Sequence, residues 1–154
     1  MALADIPSVS STPLDIIELR HKRRESALTQ MVAAAERLGV TREGALLLAT
    51  LLRAERLGGT GVGKCVAIPH ARSAGVTRPT VLLGRSARGI DWGAADGAAV
   101  RLVALVLSPT AAGAAAHVAR VALVAHTLRL QRTRQRLLDA EPAAASALLR
   151  EEKW

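Results

Sequence analysis

The alternation of helix-like and strand-like segments along the chain constrains its fold most. Over residues 25–38 the apolar positions recur every three or four residues, as on the buried face of a helix, and Gly39 follows where a helix-ending glycine is expected. Thr41 is suited to N-cap a second helix that ends at Gly58-Gly59. These two segments predict a helical hairpin.

Short apolar segments predict the strands. Residues 65–68 lead into Pro69, which cannot donate to a β-ladder, and a weaker pattern over residues 14–19 indicates one short strand near the start. The remaining predicted elements are strands over residues 80–84 and 100–107 and helices over about 111–130, 131–140 and 142–153. The resulting order, β-α-α-β-β-β-α-α-α, predicts a layered α/β domain.

The length of the chain suits one self-sufficient domain. Its 154 residues can bury a sizeable core, so we assign residues 13–154 to a single domain and the Ser/Pro-containing residues 1–12 to a flexible tail. Phe and Tyr are absent, and the only aromatic residues are Trp92 and Trp154. The interior must therefore be filled mainly by aliphatic side chains.

Composition also argues against several classes of protein. Cys65 is the only cysteine, which excludes an internal disulfide and a multi-cysteine metal site, and we expect a cytoplasmic protein without metal or cofactor. No segment has the character of a signal peptide or of a membrane-inserted helix. The formal net charge is +8, but stacking aromatics and zinc or helix-turn-helix patterns are missing, so we expect no nucleic-acid partner.

Residues 58–65 nearly match a nucleotide-binding P-loop. They read Gly-Gly-Thr-Gly-Val-Gly-Lys-Cys, with Cys65 in place of the hydroxyl residue that ligates magnesium. A working P-loop follows a strand and opens a helix, whereas here a predicted helix precedes and a predicted strand follows. A P-loop nucleotide-binding protein is therefore a remote alternative.

The longer run over residues 57–72 is more informative. It reads Leu-Gly-Gly-Thr-Gly-Val-Gly-Lys-Cys-Val-Ala-Ile-Pro-His-Ala-Arg. This run resembles the signature of enzyme IIA domains of the bacterial phosphotransferase system, of the fructose, mannitol and nitrogen-related type. The histidine of the family's Ile-Pro-His is phosphorylated, and it aligns without a gap on His70.

The resemblance continues through residues 89–97 and 100–109 to a predicted helix that carries His117. It implies a three-layer α/β/α sandwich with a mixed sheet, and a second histidine beside the phosphorylated one. His117 follows His70 by 47 residues and takes that part. His126 lies roughly half a turn round the same helix and is expected to face solvent.

The resemblance implies a phosphocarrier of the phosphoenolpyruvate-dependent phosphotransferase system. Such a protein accepts a phosphoryl group from an HPr-like phosphocarrier protein, here on His70. It then passes the group to an enzyme IIB subunit, or it signals its phosphorylation state to a regulated target protein. The sequence leaves the sugar-transport and the nitrogen-type regulatory role open.

The chemistry of the motif suits phosphoryl transfer. A neutral imidazole nitrogen is nucleophilic near pH 7 and is also a good leaving group. Gly61 and Gly63 allow close approach of the backbone, so with Thr60 they are expected to form a phosphate loop whose amides and hydroxyl neutralise phosphoryl oxygens.

One departure from the family concerns charge. The family usually has an arginine at the position of Ala54, directly before the glutamate that precedes the glycine run. The nearby candidates for a substitute guanidinium are Arg53, Arg56 and Arg72, of which Arg56 is favoured because it lies where the helix is ending. The alternative is a regulatory binding module of the same fold with weak or no phosphotransfer.

Overall fold

The structure is a computed structural model in which residues 15–151 are described. The helices are α1 (Arg24–Arg37), α2 (Gly44–Leu57), α3 (Ala114–Arg129), α4 (Gln131–Asp139) and α5 (Pro142–Glu151). The strands are β1 (Ile17–Glu18), β2 (Gly61–Gly63), β3 (Val66–Ala67), β4 (His70–Ser73), β5 (Thr80–Ile90) and β6 (Val100–Pro109). The predicted tail, residues 1–12, lies outside the described residues.

Strand β6 organises the sheet. It pairs antiparallel with β5 on one side, and on the other side it pairs parallel with β3 and then with β4, which occupy successive lengths of the same edge. β1 pairs parallel with β5, and β2 pairs antiparallel with β3. The sheet therefore contains both strand orientations, which confirms the predicted mixed sheet.

Helices cover both faces of this sheet. α1 and α2 pack on one face in a cluster that includes Leu51 and Leu105, and α3, α4 and α5 pack on the other in a cluster that includes Val106 and Val124. Leu105 and Val106 are neighbours in β6 and belong to opposite clusters because successive strand residues point to opposite faces. The three-layer α/β/α sandwich is confirmed, with a core that is aliphatic apart from the buried Trp92.

The predicted elements occur in the predicted order, and the structure adds the short strands β2 and β4. The predicted strand over residues 65–68 is β3, and the backbone resumes pairing with β6 after Pro69. Pro69 has no amide hydrogen to donate, but its carbonyl accepts a hydrogen bond from the Val106 amide at 2.9 Å. The proline therefore interrupts the strand without separating the chain from β6.

Two helix starts differ from the prediction. The predicted N-cap role of Thr41 is wrong, since α2 has Glu43 at its N-cap. The Thr41 hydroxyl instead accepts a hydrogen bond of 3.3 Å from the Glu43 amide. α3 begins after residue 111, because Gly113, at φ +85°, separates a 3₁₀ turn over Thr110–Ala112 from the α-helix. The expected glycine at the end of α1 is present, with Gly39 at φ +70°.

Candidate active site

His70 is the first residue of β4 and its side chain is exposed. Its Nδ1 lies 2.9 Å from the carbonyl oxygen of Ile68. A carbonyl oxygen only accepts hydrogen bonds, so Nδ1 carries the ring proton and donates it. In the neutral ring Nε2 then keeps an unshared electron pair. The turn around Pro69 thus fixes both the orientation of the ring and its nucleophilic atom.

His117 lies beside His70. The two ring centroids are 5.6 Å apart, with the ring planes inclined at 48°. His117 occupies the first turn of α3 and is 7% exposed. Its Nδ1 lies 2.8 Å from Oγ of Ser108 in β6. The packing of α3 on β4 and β6 therefore brings the two predicted histidines together.

The surroundings of His117 keep its ring neutral. Burial, and after it the positive charges of His70, Arg72 and Arg120, lower the pKa of His117 to about 4. At pH 7 the ring therefore carries one proton, on one of its two nitrogens. Such a ring can donate one hydrogen bond to an anion. A phosphoryl group on His70 would be a suitable acceptor.

Arg72 lies on the same side of β4 as His70. The two residues are separated by Ala71, which packs in the core on the opposite face. In the ladder His70 is level with Val106, and Arg72 is level with Ser108, whose side chain contacts His117. Arg72 thus lies beside the histidine pair, and its charge is one cause of the low pKa of His117.

Arg53 and Arg56 are placed differently. Both are exposed residues of α2, in the helical layer on the other face of the sheet from α3. The arrangement therefore favours Arg72 over Arg56 as the substitute for the family's arginine at Ala54.

The glycine-rich loop turns its first donors inward. The amides of Gly58 and Gly59 bond to the carbonyls of Ala54 and Glu55 at the end of α2. The Thr60 amide donates to the Glu55 carboxylate at 3.0 Å, and the Thr60 hydroxyl also donates to that carboxylate. Contrary to the sequence expectation, the donors of Thr60 are occupied within the protein.

Gly61 and Gly63 serve packing in this structure. Gly61 pairs with Ala67, and a Cβ at Gly61 would lie 3.0 Å from the Cβ of Ala94. Gly63 has φ +84° and pairs with Val66. Because β2 runs antiparallel to β3, these glycines are carried progressively away from His70. The P-loop-like run thus forms a β-hairpin after α2, whereas the loop of a nucleotide-binding P-loop is followed by a helix.

Glu55 was not recognised as part of the site from the sequence. It is 4% exposed, and besides Thr60 it accepts a hydrogen bond from Nε1 of Trp92 at 3.1 Å. Ser108 and the buried Arg120 were also missed. Arg120 lies three residues after His117 in α3 and therefore on the same side of the helix. This helical spacing is the one sequence signal that could have identified it.

Over residues 15–151 there is no group of three or more His, Cys, Asp or Glu side chains placed to hold a metal ion. Nor does any helix in this part of the chain have the length and apolar character needed to cross a membrane.

Comparison with known proteins defines the class. Residues 13–151 match the family described as "Phosphoenolpyruvate-dependent sugar phosphotransferase system, EIIA 2". The match covers most of the chain, and its fold and histidine pair lie within it. The chain belongs to this family of EIIA proteins.

Its relatives include both sugar-specific and regulatory proteins. The chain is 34% identical over 143 residues to a "PTS system fructose-specific EIIA component" of Haloferax volcanii, covering 92% of this chain and 91% of the relative. It is 36% identical over 127 residues to a "Nitrogen regulatory protein" of Bradyrhizobium diazoefficiens, covering 82% of each. The crystal structure of nitrogen regulatory protein IIA-Ntr from Neisseria meningitidis matches with a TM-score of 0.76 and 26% identity, covering 87% of this chain and 91% of that one.

Proposed function

We propose that this protein is a histidine phosphocarrier in which Nε2 of His70 accepts and passes on a phosphoryl group. The observation that carries the proposal is that two imidazole rings in different environments lie side by side. His70 is exposed and has Nδ1 engaged by a carbonyl, so Nε2 is accessible to a partner. His117 is buried and neutral, with its ring centre 5.6 Å away.

The transfer is a displacement at phosphorus. The electron pair on Nε2 of His70 forms a new P–N bond while the P–N bond of a phosphohistidine on an HPr-like donor breaks. The donor ring, protonated on its other nitrogen while phosphorylated, leaves as a neutral imidazole. The His70 ring keeps its Nδ1 proton and becomes the cationic one, so protons and charge balance.

The negative charge of the phosphoryl group is met mainly by side chains. His117 supplies one ring N–H, and Arg72 supplies a guanidinium from the same side of β4 as His70. This assignment is supported by the inward bonding of the Gly58, Gly59 and Thr60 amides, which leaves those donors engaged elsewhere. Arginine suits the task because its planar fork can bind two phosphoryl oxygens at once.

The proposed partners are an HPr-like phosphocarrier as donor and either an enzyme IIB subunit or a regulated protein as acceptor. The fructose-specific relative favours a IIB subunit, and the nitrogen regulatory relatives favour a regulated protein. Ala54, where the family usually has arginine, favours the second candidate function, a regulatory module of the same fold that transfers phosphoryl groups slowly or not at all.

The test is incubation with phosphoenolpyruvate, enzyme I and HPr, followed by intact mass measurement. We expect the mass of one phosphoryl group to be added, with a bond that survives base and is lost in acid. His70→Ala should abolish the addition, whereas His126→Ala, an exposed histidine on α3, should not. A label that survives His70→Ala would refute the assignment of His70, and a folded wild-type protein that takes up no phosphoryl group would favour the regulatory module.

A further inference from the structure

Ser108 is the one hydrogen-bond partner of His117 Nδ1 among residues 15–151. It lies near the end of β6 and is 0% exposed, and its Oγ is 2.8 Å from that nitrogen. The register of β4 on β6 places Ser108 level with Arg72, directly beside the residues proposed to bind the phosphoryl group. A buried hydroxyl therefore contacts the partner histidine on the nitrogen that leaves Nε2 available to a group on His70.

The direction of this hydrogen bond decides what His117 can do. A neutral imidazole has one nitrogen that donates and one that accepts. If Ser108 donates to Nδ1, the ring proton is on Nε2, which can then donate to a phosphoryl oxygen. If Ser108 instead accepts from Nδ1–H, Nε2 presents a lone pair, which repels the anionic oxygen.

Burial favours the first arrangement. Within the described residues the Ser108 hydroxyl has no second hydrogen-bond partner. If it accepted the bond from His117, its own hydrogen would be left buried without an acceptor, which is costly. If it donates, only acceptor capacity is left unused, which is the less expensive outcome.

We propose that Ser108 is a positioning residue that donates its hydroxyl proton to Nδ1 of His117 and thereby holds the His117 ring proton on Nε2, facing the phosphoryl group carried by His70. The proposal rests on the proposed function for its role in transfer. Its structural half, the location of the proton, applies to the unphosphorylated protein.

Long-range ¹H–¹⁵N correlation spectra of the unphosphorylated protein at pH 7 test the location of the proton. We expect His117 to be the Nε2–H tautomer in the wild type and a mixture of both tautomers in Ser108→Ala. The matched control is Ser86→Ala, since Ser86 is equally buried in β5 but bonds to the Gly89 amide. An Nδ1–H tautomer in the wild type, or an unchanged Nε2–H tautomer in Ser108→Ala, would overturn the proposal.

Phosphotransfer supplies the second readout. Ser108→Ala should slow phosphoryl uptake from phospho-HPr about threefold to tenfold, the scale of one lost neutral hydrogen bond, with Ser108→Cys in between. Wild-type rates in both variants would contradict the role in transfer. If Ser108→Ala fails to fold, the wild-type tautomer decides. If the wild-type protein takes up no phosphoryl group, the proposed function fails while the tautomer still tests the role of Ser108.

Discussion

The glycine-rich loop and the corner formed by β4, β6 and α3 flank the same histidine but are built in opposite ways. In the loop the amides of Gly58, Gly59 and Thr60 are all bonded to the end of α2. In the corner His70 and Arg72 are exposed residues on the face of β4 opposite Ala71, on the side of the sheet covered by α3. The comparison teaches that glycines next to a proposed phosphorylation site can serve to fix the backbone, while the groups proposed to bind the anion are side chains.

The largest expected effect concerns the anchor of the loop. Glu55→Ala removes the carboxylate that accepts hydrogen bonds from Thr60 and Trp92, so we expect the free energy of unfolding to fall by roughly 3 kcal/mol. Urea denaturation followed by circular dichroism measures this loss. Glu141→Ala, at an exposed carboxylate, should leave the stability unchanged. If Glu55→Ala were equally stable, the loop would not depend on this anchor.

The next effect concerns the corner. His117→Ala should give a folded protein that takes up the phosphoryl group roughly a hundredfold more slowly, because a donor aimed at the transferred group is lost. The lifetime of the phosphorylated state should also shorten. Rapid-quench measurements of phosphoryl uptake from phospho-HPr test the rate, and the loss of the phosphoryl group from the isolated phosphoprotein tests the lifetime. Rates and lifetimes equal to those of the wild type would make His117 a structural residue. The corner would then lack one of the two side chains proposed to bind the phosphoryl group.

A smaller effect separates the three arginines. Arg72→Ala should slow uptake roughly tenfold, since about 1.4 kcal/mol of transition-state stabilisation is lost with one charged contact. Arg53→Ala and Arg56→Ala are matched controls from α2 and should change the rate little. If all three variants transferred at the wild-type rate, no arginine would have replaced the family's, and Ala54→Arg should then accelerate uptake.

The sequence predicted the histidines and the layers of the fold better than it predicted the strand and the residues that position the histidines. His70 and His117 could be found because the run that ends in Ile-Pro-His resembles the family's signature and because the spacing of 47 residues between them resembles the family's. Strand β4 was missed because Pro69 reads as the end of a strand, whereas its carbonyl still bonds to β6. The position of Ser108 beside the histidine pair depends on the register between β4 and β6, which no local sequence pattern encodes.

The bonding of Thr60 could not be predicted from the sequence for a related reason. Its residues were read as donors, but donors are available only if nothing in the fold engages them. Glu55, five residues before Thr60, is brought back to the loop by the end of α2 and takes up the Thr60 amide and hydroxyl. Such a contact depends on how the helix ends, which sequence patterns locate only approximately.

The most direct test of the account is the atom that carries the phosphoryl group. Long-range ¹H–¹⁵N spectra of the protein phosphorylated through HPr should show His70 modified at Nε2, with Nδ1 still protonated and bonded to Ile68. Modification at Nδ1 of His70, or of His117 in place of His70, would contradict the account.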